Sequence, residues 1–186
     1  MTGRMMIAGV GNIFLGDDGF GVEVARRLAG AGLPDWVRVA DYGISGMHLA
    51  YDLAEGFETT ILIDASPRGE PPGTVYVMEL STEDRTAPAP GGVPVPVLDG
   101  HGMQPDVVLG MLDMLGADAG RVLLVGCEPA SIDARIGLSA PVADAVDRAV
   151  QIVHSLVRAA DADSSSDDGS GAAAVAGART TNDEGG

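Results

Sequence analysis

A glycine-rich loop near the N-terminus places the strongest constraint on how this chain folds. The loop runs from Gly9 to Gly21 and follows the apolar segment 5–8, which predicts a buried strand. An amphipathic helix is predicted to follow over residues 19–29. A glycine loop between a strand and a helix usually cradles a phosphate group at the helix N-terminus. Here Asp17 and Asp18 occupy that place, so the loop favours a cation or a polar backbone over an anion.

The same loop departs from the dinucleotide-binding fingerprint. That pattern needs a third glycine for helix packing, and Phe14 stands at this position. Gly9 and Gly11 can instead serve only a tight turn and a close approach of the backbone. One residue of the Asp17–Asp18 pair is expected to cap the helix, so that the other can point elsewhere.

Charge and composition exclude several classes of function. The 186 residues carry a formal net charge of −16, which argues against nucleic acid and anionic membranes as partners. No apolar run approaches the roughly 20 residues that span a bilayer, and no signal peptide is recognisable. The lone cysteine, Cys127, fits a reducing compartment. These observations favour the cytoplasm, and we also expect a monomer.

The C-terminal segment 161–186 differs in composition from the rest of the chain. It is rich in Ser, Gly, Ala and Asp and has no aromatic residue, which predicts a disordered tail behind a folded domain over residues 1–160. The domain itself is acidic, because 21 acidic and 10 basic side chains lie outside the tail.

The domain alternates strand and helix patterns, which predicts a three-layer α/β/α fold with a five-stranded, mostly parallel sheet. Only the short loop 66–73 separates the third and fourth strands, so the fourth is expected to run antiparallel. The long loop 81–102 suggests a functional segment. Strands are predicted over residues 5–10, 37–40, 59–63, 74–80 and 121–125, and helices over 19–29, 47–54, 105–115 and 139–158.

Three side chains with metal-ligating chemistry are expected at one edge of this sheet. Asp18 follows the first strand, Asp64 ends the third, and His101 lies in the long loop. Ligands of open α/β sheets bind beyond the carboxyl ends of the strands, where the strand order reverses. If the first and third strands are neighbours, Asp18 and Asp64 face each other and His101 can fold over them. Two carboxylates and one imidazole can hold a first-row divalent metal.

Each candidate also has a purely structural alternative. Asp64 could cap a turn, and His101 could be a solvated loop residue. His48 and His154 fall on predicted helices and are weaker candidates. Cys127 has no basic group close in the sequence to activate it, which favours a small buried side chain over a nucleophile.

Several of these motifs occur together and in a fixed order. In that combination the chain resembles the hydrogenase maturation endopeptidases over residues 5–157. The motifs are the glycine loop with its acidic pair, Asp41-Tyr42-Gly43-Ile44-Ser45-Gly46, Ile63-Asp64-Ala65, His101 before a helix, and Ile136-Gly137-Leu138-Ser139.

The resemblance implies a strand order of 2-1-3-5-4 with an antiparallel fourth strand. It also implies an endopeptidase that removes a C-terminal extension from the precursor of a nickel–iron hydrogenase large subunit. The family's nickel-recognition site, two acids and a histidine, maps onto Asp18, Asp64 and His101, which are also the catalytic candidates. Asp18 is shorter than the glutamate that the family often has there.

We interpret the chain as a peptidase that senses nickel already inserted in its substrate and holds no metal tightly itself. A water molecule directed by Asp18 or Asp64 could cut the peptide bond, with nickel as the Lewis acid. Two other classes stay open at this stage. One is a Rossmann-like nucleotide-binding enzyme, since Asp41 ends the second strand where a ribose would bind. The other is a non-catalytic, nickel-dependent hydrogenase chaperone.

Overall fold

A computed structural model describes residues 4–80 and 120–167, and a five-stranded sheet forms their centre. The strands are β1 (Met5–Val10), β2 (Val37–Gly43), β3 (Thr59–Ala65), β4 (Val75–Leu80) and β5 (Arg121–Cys127). Their order in the sheet is β2-β1-β3-β5-β4. β1 pairs in parallel with β2 and β3, β3 pairs in parallel with β5, and β4 pairs antiparallel with β5. Both the predicted order and the predicted direction of the fourth strand are confirmed.

The helical elements are the 3-10 turn η1 (Gly16–Gly19), α1 (Phe20–Ala29), α2 (Gly46–Leu53) and α3 (Ala140–Asp167). Helices cover both faces of the sheet, and side chains that alternate along a strand enter two separate apolar clusters. Ile7 packs in the cluster that α1 and α3 complete, whereas Met6 packs in the cluster that α2 completes. Every residue of β1 is buried, as expected for a strand covered on both sides. None of the described helices is long and apolar enough to cross a membrane.

The strands run further than the sequence pattern predicts. β2 ends at Gly43 and β3 at Ala65, so Asp41 and Asp64 lie within strands instead of just after them. The sequence prediction ended each of these strands just before an aspartate, but Asp64 still pairs with Gly126 in the ladder between β3 and β5. The predicted helix over 105–115 and the loop over 81–102 lie outside the described residues.

The last helix also continues beyond its predicted end at Arg158. It reaches Asp167, so residues 161–167, the first part of the predicted tail, are helical. Alanines at 159, 160 and 162 favour continuation, because alanine is the best helix former, and Ala160 still packs against the core. The division at residue 160 into a domain and a disordered tail remains a prediction for the residues beyond 167.

Removal of residues 161–186 is expected to leave the cleavage rate unchanged. The side chains at 161–163 are exposed, and changes at exposed positions usually alter stability by about 0.5 kcal/mol or less. For a domain of this size that corresponds to a shift of about 2 °C or less in melting temperature. Differential scanning fluorimetry on the truncated and full chains measures the shift. A drop of many degrees would mean that the segment packs on the domain.

Candidate active site

Glycines bring the N-terminus of α1 directly against the sheet. A Cβ atom added at Gly21 would lie 2.0 Å from the carbonyl oxygen of Ile63 and 2.4 Å from that of Val10. The helix therefore begins in contact with both β1 and β3, at the place where the strand order reverses. A Cβ atom at Gly9 would lie 2.3 Å from the carbonyl oxygen of Gly21. Gly9 and Gly21 thus serve close backbone packing.

Gly11 brings the backbone of Asp18 against the end of β1. It has a φ of +125°, and a Cβ atom there would lie 1.8 Å from the carbonyl oxygen of Asp18. The backbone N–H of Asn12 donates a hydrogen bond of 2.6 Å to Oδ2 of Asp18. The loop therefore fixes both the main chain and one carboxylate oxygen of Asp18.

Asp64 lies in β3 beside this carboxylate and is only 5% exposed. Burial and the negative charge of Asp18 raise the pKa of Asp64 well above its usual value, although a hydrogen bond from the Ala65 backbone opposes the shift. The two carboxyl groups are thus close enough for the charge of Asp18 to act on Asp64. Two neighbouring carboxyl groups in different environments are an arrangement suited to acid–base chemistry.

Asp17 has a different role from Asp18, although the two are adjacent in sequence. Its side chain is fully buried. Oδ1 accepts a hydrogen bond from the Ser139 N–H at 2.6 Å, and Oδ2 accepts bonds from the N–H groups of Ala130 and Ser131 and from the Ser139 hydroxyl. Burial opposes the charged form, but these hydrogen bonds outweigh it and lower the pKa of Asp17.

The expectation that one residue of this pair caps the helix is therefore wrong. Leu15 and Gly19 occupy the N-cap positions of η1 and α1, and neither makes a capping hydrogen bond with its side chain. The donors to Asp17 are Ala130, Ser131 and Ser139, and Asn12, which donates to Asp18, also lies outside the helix. Ser139 does precede the last helix, as predicted, but its hydroxyl donates to Asp17. The sequence analysis missed the contact between Ser139 and Asp17. The one signal for it was the pair of consecutive acids, since a buried acid needs hydrogen-bond donors.

His101, the third predicted ligand, lies outside the described residues. Among residues 4–80 and 120–167, no group of three His, Cys, Asp or Glu side chains could hold a metal ion. His48 is on α2, beside an open pocket of about 440 Å³. His154 is partly buried on α3. The pocket is lined by Asp41, Tyr42, Ser45, His48, Tyr51 and Asp52.

Cys127 is confirmed as a small buried side chain. It is 0% exposed. Burial, together with the charges of Asp17 and Glu128, raises the pKa of its thiol to about 12. The thiol therefore stays protonated near neutral pH and does not supply a nucleophile.

Five of the large apolar side chains that are exposed border the same edge of the sheet as the two carboxyl groups. They lie on the segments that follow β1, β2 and β5, whose carboxyl ends meet there. Phe14 is 62% exposed and Ile136 77%. Exposed apolar groups beside a polar site are typical of a surface that binds a peptide or protein. The five are Ile13, Phe14, Ile44, Met47 and Ile136.

The fold and this pair of carboxyl groups define a small α/β protein with a polar site where the strand order of the sheet reverses. Comparison with known proteins shows that this class is the endopeptidases. The Escherichia coli hydrogenase 2 maturation protease is 30% identical over 156 residues, which cover 83% of this chain and 91% of that protein. The structure of the hydrogenase maturating endopeptidase HybD from E. coli matches with a TM-score of 0.65 at 30% identity, over 83% of this chain and 92% of the other. A hydrogenase 2 maturation peptidase from a Thaumarchaeota archaeon matches with a TM-score of 0.61 at 31% identity, over 83% and 97%.

The sequence pattern of the hydrogenase maturation protease family matches residues 22–156. The chain belongs to this family and is a hydrolase that cleaves peptide bonds in hydrogenase maturation.

Proposed function

We propose that this protease removes the C-terminal extension from the large-subunit precursor of a nickel–iron hydrogenase, in the cytoplasm, once nickel has been inserted. The observation that carries the proposal is the closeness of Asp18 and Asp64 at the sheet edge, where burial and the charge of Asp18 raise the pKa of Asp64. Two carboxylates that lie close together repel each other until a cation neutralises them. A metal ion carried by the substrate would supply that charge.

In this proposal Asp18, Asp64 and His101 recognise the nickel of the precursor, and the protease holds no metal of its own. Nickel belongs to the substrate. Metal ions of this kind accept imidazole and carboxylate ligands. The exposed apolar side chains along the same edge, such as Phe14 and Ile136, favour a peptide segment as the bound group.

For the cleavage step, we propose that Asp18 acts as the base. Its carboxylate accepts a proton from water while the water oxygen adds to the scissile carbonyl carbon. The carbon–nitrogen bond then breaks, and Asp18 passes the proton to the leaving amine. The hydrogen bond from Asn12 to Oδ2 of Asp18 supports this assignment because it orients the carboxylate. In this assignment Asp64 keeps its role in recognising the nickel of the substrate.

A nucleotide-binding function is less well supported. The carboxylate of Asp41, which sequence reasoning placed near a ribose, already accepts a hydrogen bond of 3.0 Å from the Gly43 N–H. It also forms an ion pair of 3.3 Å with Arg26.

The purified protease is expected to cleave a nickel-loaded precursor and to ignore the metal-free one. Zinc in place of nickel should be a poorer trigger, because zinc favours a tetrahedral shell. Incubation with metal-free, zinc-loaded and nickel-loaded precursor, followed by mass spectrometry of the products, measures the difference. Equal cleavage of the metal-free precursor would exclude nickel sensing while leaving the peptidase activity intact. The Asp64→Asn variant on nickel-loaded precursor controls for contaminating proteases.

A further inference from the structure

Asp17, the buried aspartate next to Asp18 in the sequence, takes no part in the proposed cleavage chemistry. We propose that Asp17 is a positioning residue: its carboxylate fastens η1, the turn that carries Asp18, to the segment 130–139 and so fixes the Asp18 carboxylate next to Asp64. This inference rests on the proposed role of Asp18 in cleavage.

The turn that carries Asp18 depends on a distant segment for its position. η1 is four residues long and has no side-chain cap, and 3-10 turns of this length have poor hydrogen-bond geometry. Its backbone is instead bound to the segment 130–139. Gly16 donates its N–H to the carbonyl oxygen of Arg135 at 2.7 Å, and Asp17 donates its own to Ser131 at 3.2 Å.

The buried carboxylate of Asp17 also binds the segment 130–139. It accepts four hydrogen bonds, three from backbone N–H groups and one from the Ser139 hydroxyl. Both oxygens receive donors, so an asparagine in either orientation would place its NH₂ group against at least one N–H. A buried donor that loses its acceptor costs about 1–3 kcal/mol. Asp17→Asn therefore weakens the contact between η1 and the segment 130–139, while it changes the side-chain volume very little.

A shift of η1 moves Asp18 directly, because Asp18 is part of this turn. The carbonyl oxygen of Asp18 packs on Gly11, where even a Cβ atom would not fit. The side chain of Asp18 is hydrogen bonded to Asn12 in the same loop. Movement of the turn must therefore change the hydrogen bond between Asn12 and Asp18. A misplacement of about 1 Å in a catalytic group can lower the rate about 10²-fold.

The test compares four variants on nickel-loaded precursor. Asp17→Asn is expected to lower kcat about 10²-fold, and KM should rise as well, because Asp18 also recognises the nickel of the substrate. Ser139→Ala, which removes one donor, should cause a smaller loss of kcat, and Ser139→Thr, which keeps the hydroxyl, should restore the rate. Glu128→Gln is the matched control. Glu128 is also buried and accepts hydrogen bonds from backbone N–H groups. Its donors, Arg68 and Gly69, lie outside the turn that carries Asp18, so Glu128→Gln should leave kcat unchanged.

The amide resonance of Asn12 in a ¹H–¹⁵N NMR spectrum provides a readout that does not depend on activity. It should shift, and its hydrogen exchange should accelerate, in Asp17→Asn and Ser139→Ala but not in Glu128→Gln. A folded Asp17→Asn with wild-type kcat and an unmoved Asn12 amide would overturn the proposal. If Asp17→Asn does not fold, the same two measurements on Ser139→Ala decide. If the wild-type protein cleaves no precursor but the amide moves, the positioning role stands and the proposed function fails.

Discussion

The Asp64→Asn variant is expected to lose all cleavage of the nickel-loaded precursor and yet be more stable than the wild type at neutral pH. Burial and the charge of Asp18 raise the pKa of Asp64 in the folded state. A carboxyl group with a raised pKa stabilises the fold fully below its unfolded pKa, and that stability is lost as the pH rises through the folded pKa. Asparagine stays neutral at every pH, so the variant keeps the folding stability that the wild type loses as the pH rises.

Urea unfolding at several pH values, together with a cleavage assay, measures both effects. The stability advantage of Asp64→Asn should disappear below about pH 4, near the unfolded pKa of aspartate. Asp18→Asn and His101→Ala are also expected to abolish cleavage without unfolding the protein. Full activity in Asp64→Asn would remove Asp64 from the site. A variant that is both inactive and destabilised would instead identify Asp64 as a structural cap.

The second large effect concerns the contact between α1 and the sheet. Gly21→Ala is expected to destabilise the fold by about 3 kcal/mol or more, since its methyl group would overlap the carbonyl oxygens of Val10 and Ile63. Both oxygens belong to paired strands and cannot move away easily. For a domain of this size the melting temperature should fall by about 6 °C or more. Thermal unfolding followed by circular dichroism measures it.

Gly30→Ala, at the other end of α1, is the matched control for Gly21→Ala. Gly30 has a φ of −94°, and its nearest neighbour to an added Cβ atom is 3.8 Å away. Alanine fits there without strain and should stabilise the fold by about 0.4–1 kcal/mol, because it restricts the unfolded chain. Equal melting temperatures for the two variants would contradict the packing argument at Gly21.

The sequence alone was sufficient for the features that depend on local pattern. Alternating strand and helix segments predicted the sheet, and the resemblance to a known family implied its order. The short connection before β4 predicted its direction. Asp18 and Asp64 could be brought together in advance, because parallel strands end at a common edge. The role of His101 stays a prediction.

The features that the sequence did not reveal depend on contacts between distant residues. Asp17 binds groups that are 113 to 122 positions away in the chain, and no local pattern indicates such a pairing. Asp64 lies within β3 because β5 continues to pair beside it. Likewise, the close packing of Gly21 on Ile63 depends on how the helix docks, which periodicity does not describe.

The long separation between Asp17 and its partners has a consequence for how the protease is made. During synthesis, the turn that carries Asp18 emerges early, but the residues that anchor it follow more than a hundred positions later. Contacts this distant form late, because closing a long loop has a high entropic cost. An unfinished nascent chain therefore lacks the contacts that hold the turn around Asp18, and these contacts form only when the C-terminal part of the domain has been translated and has docked.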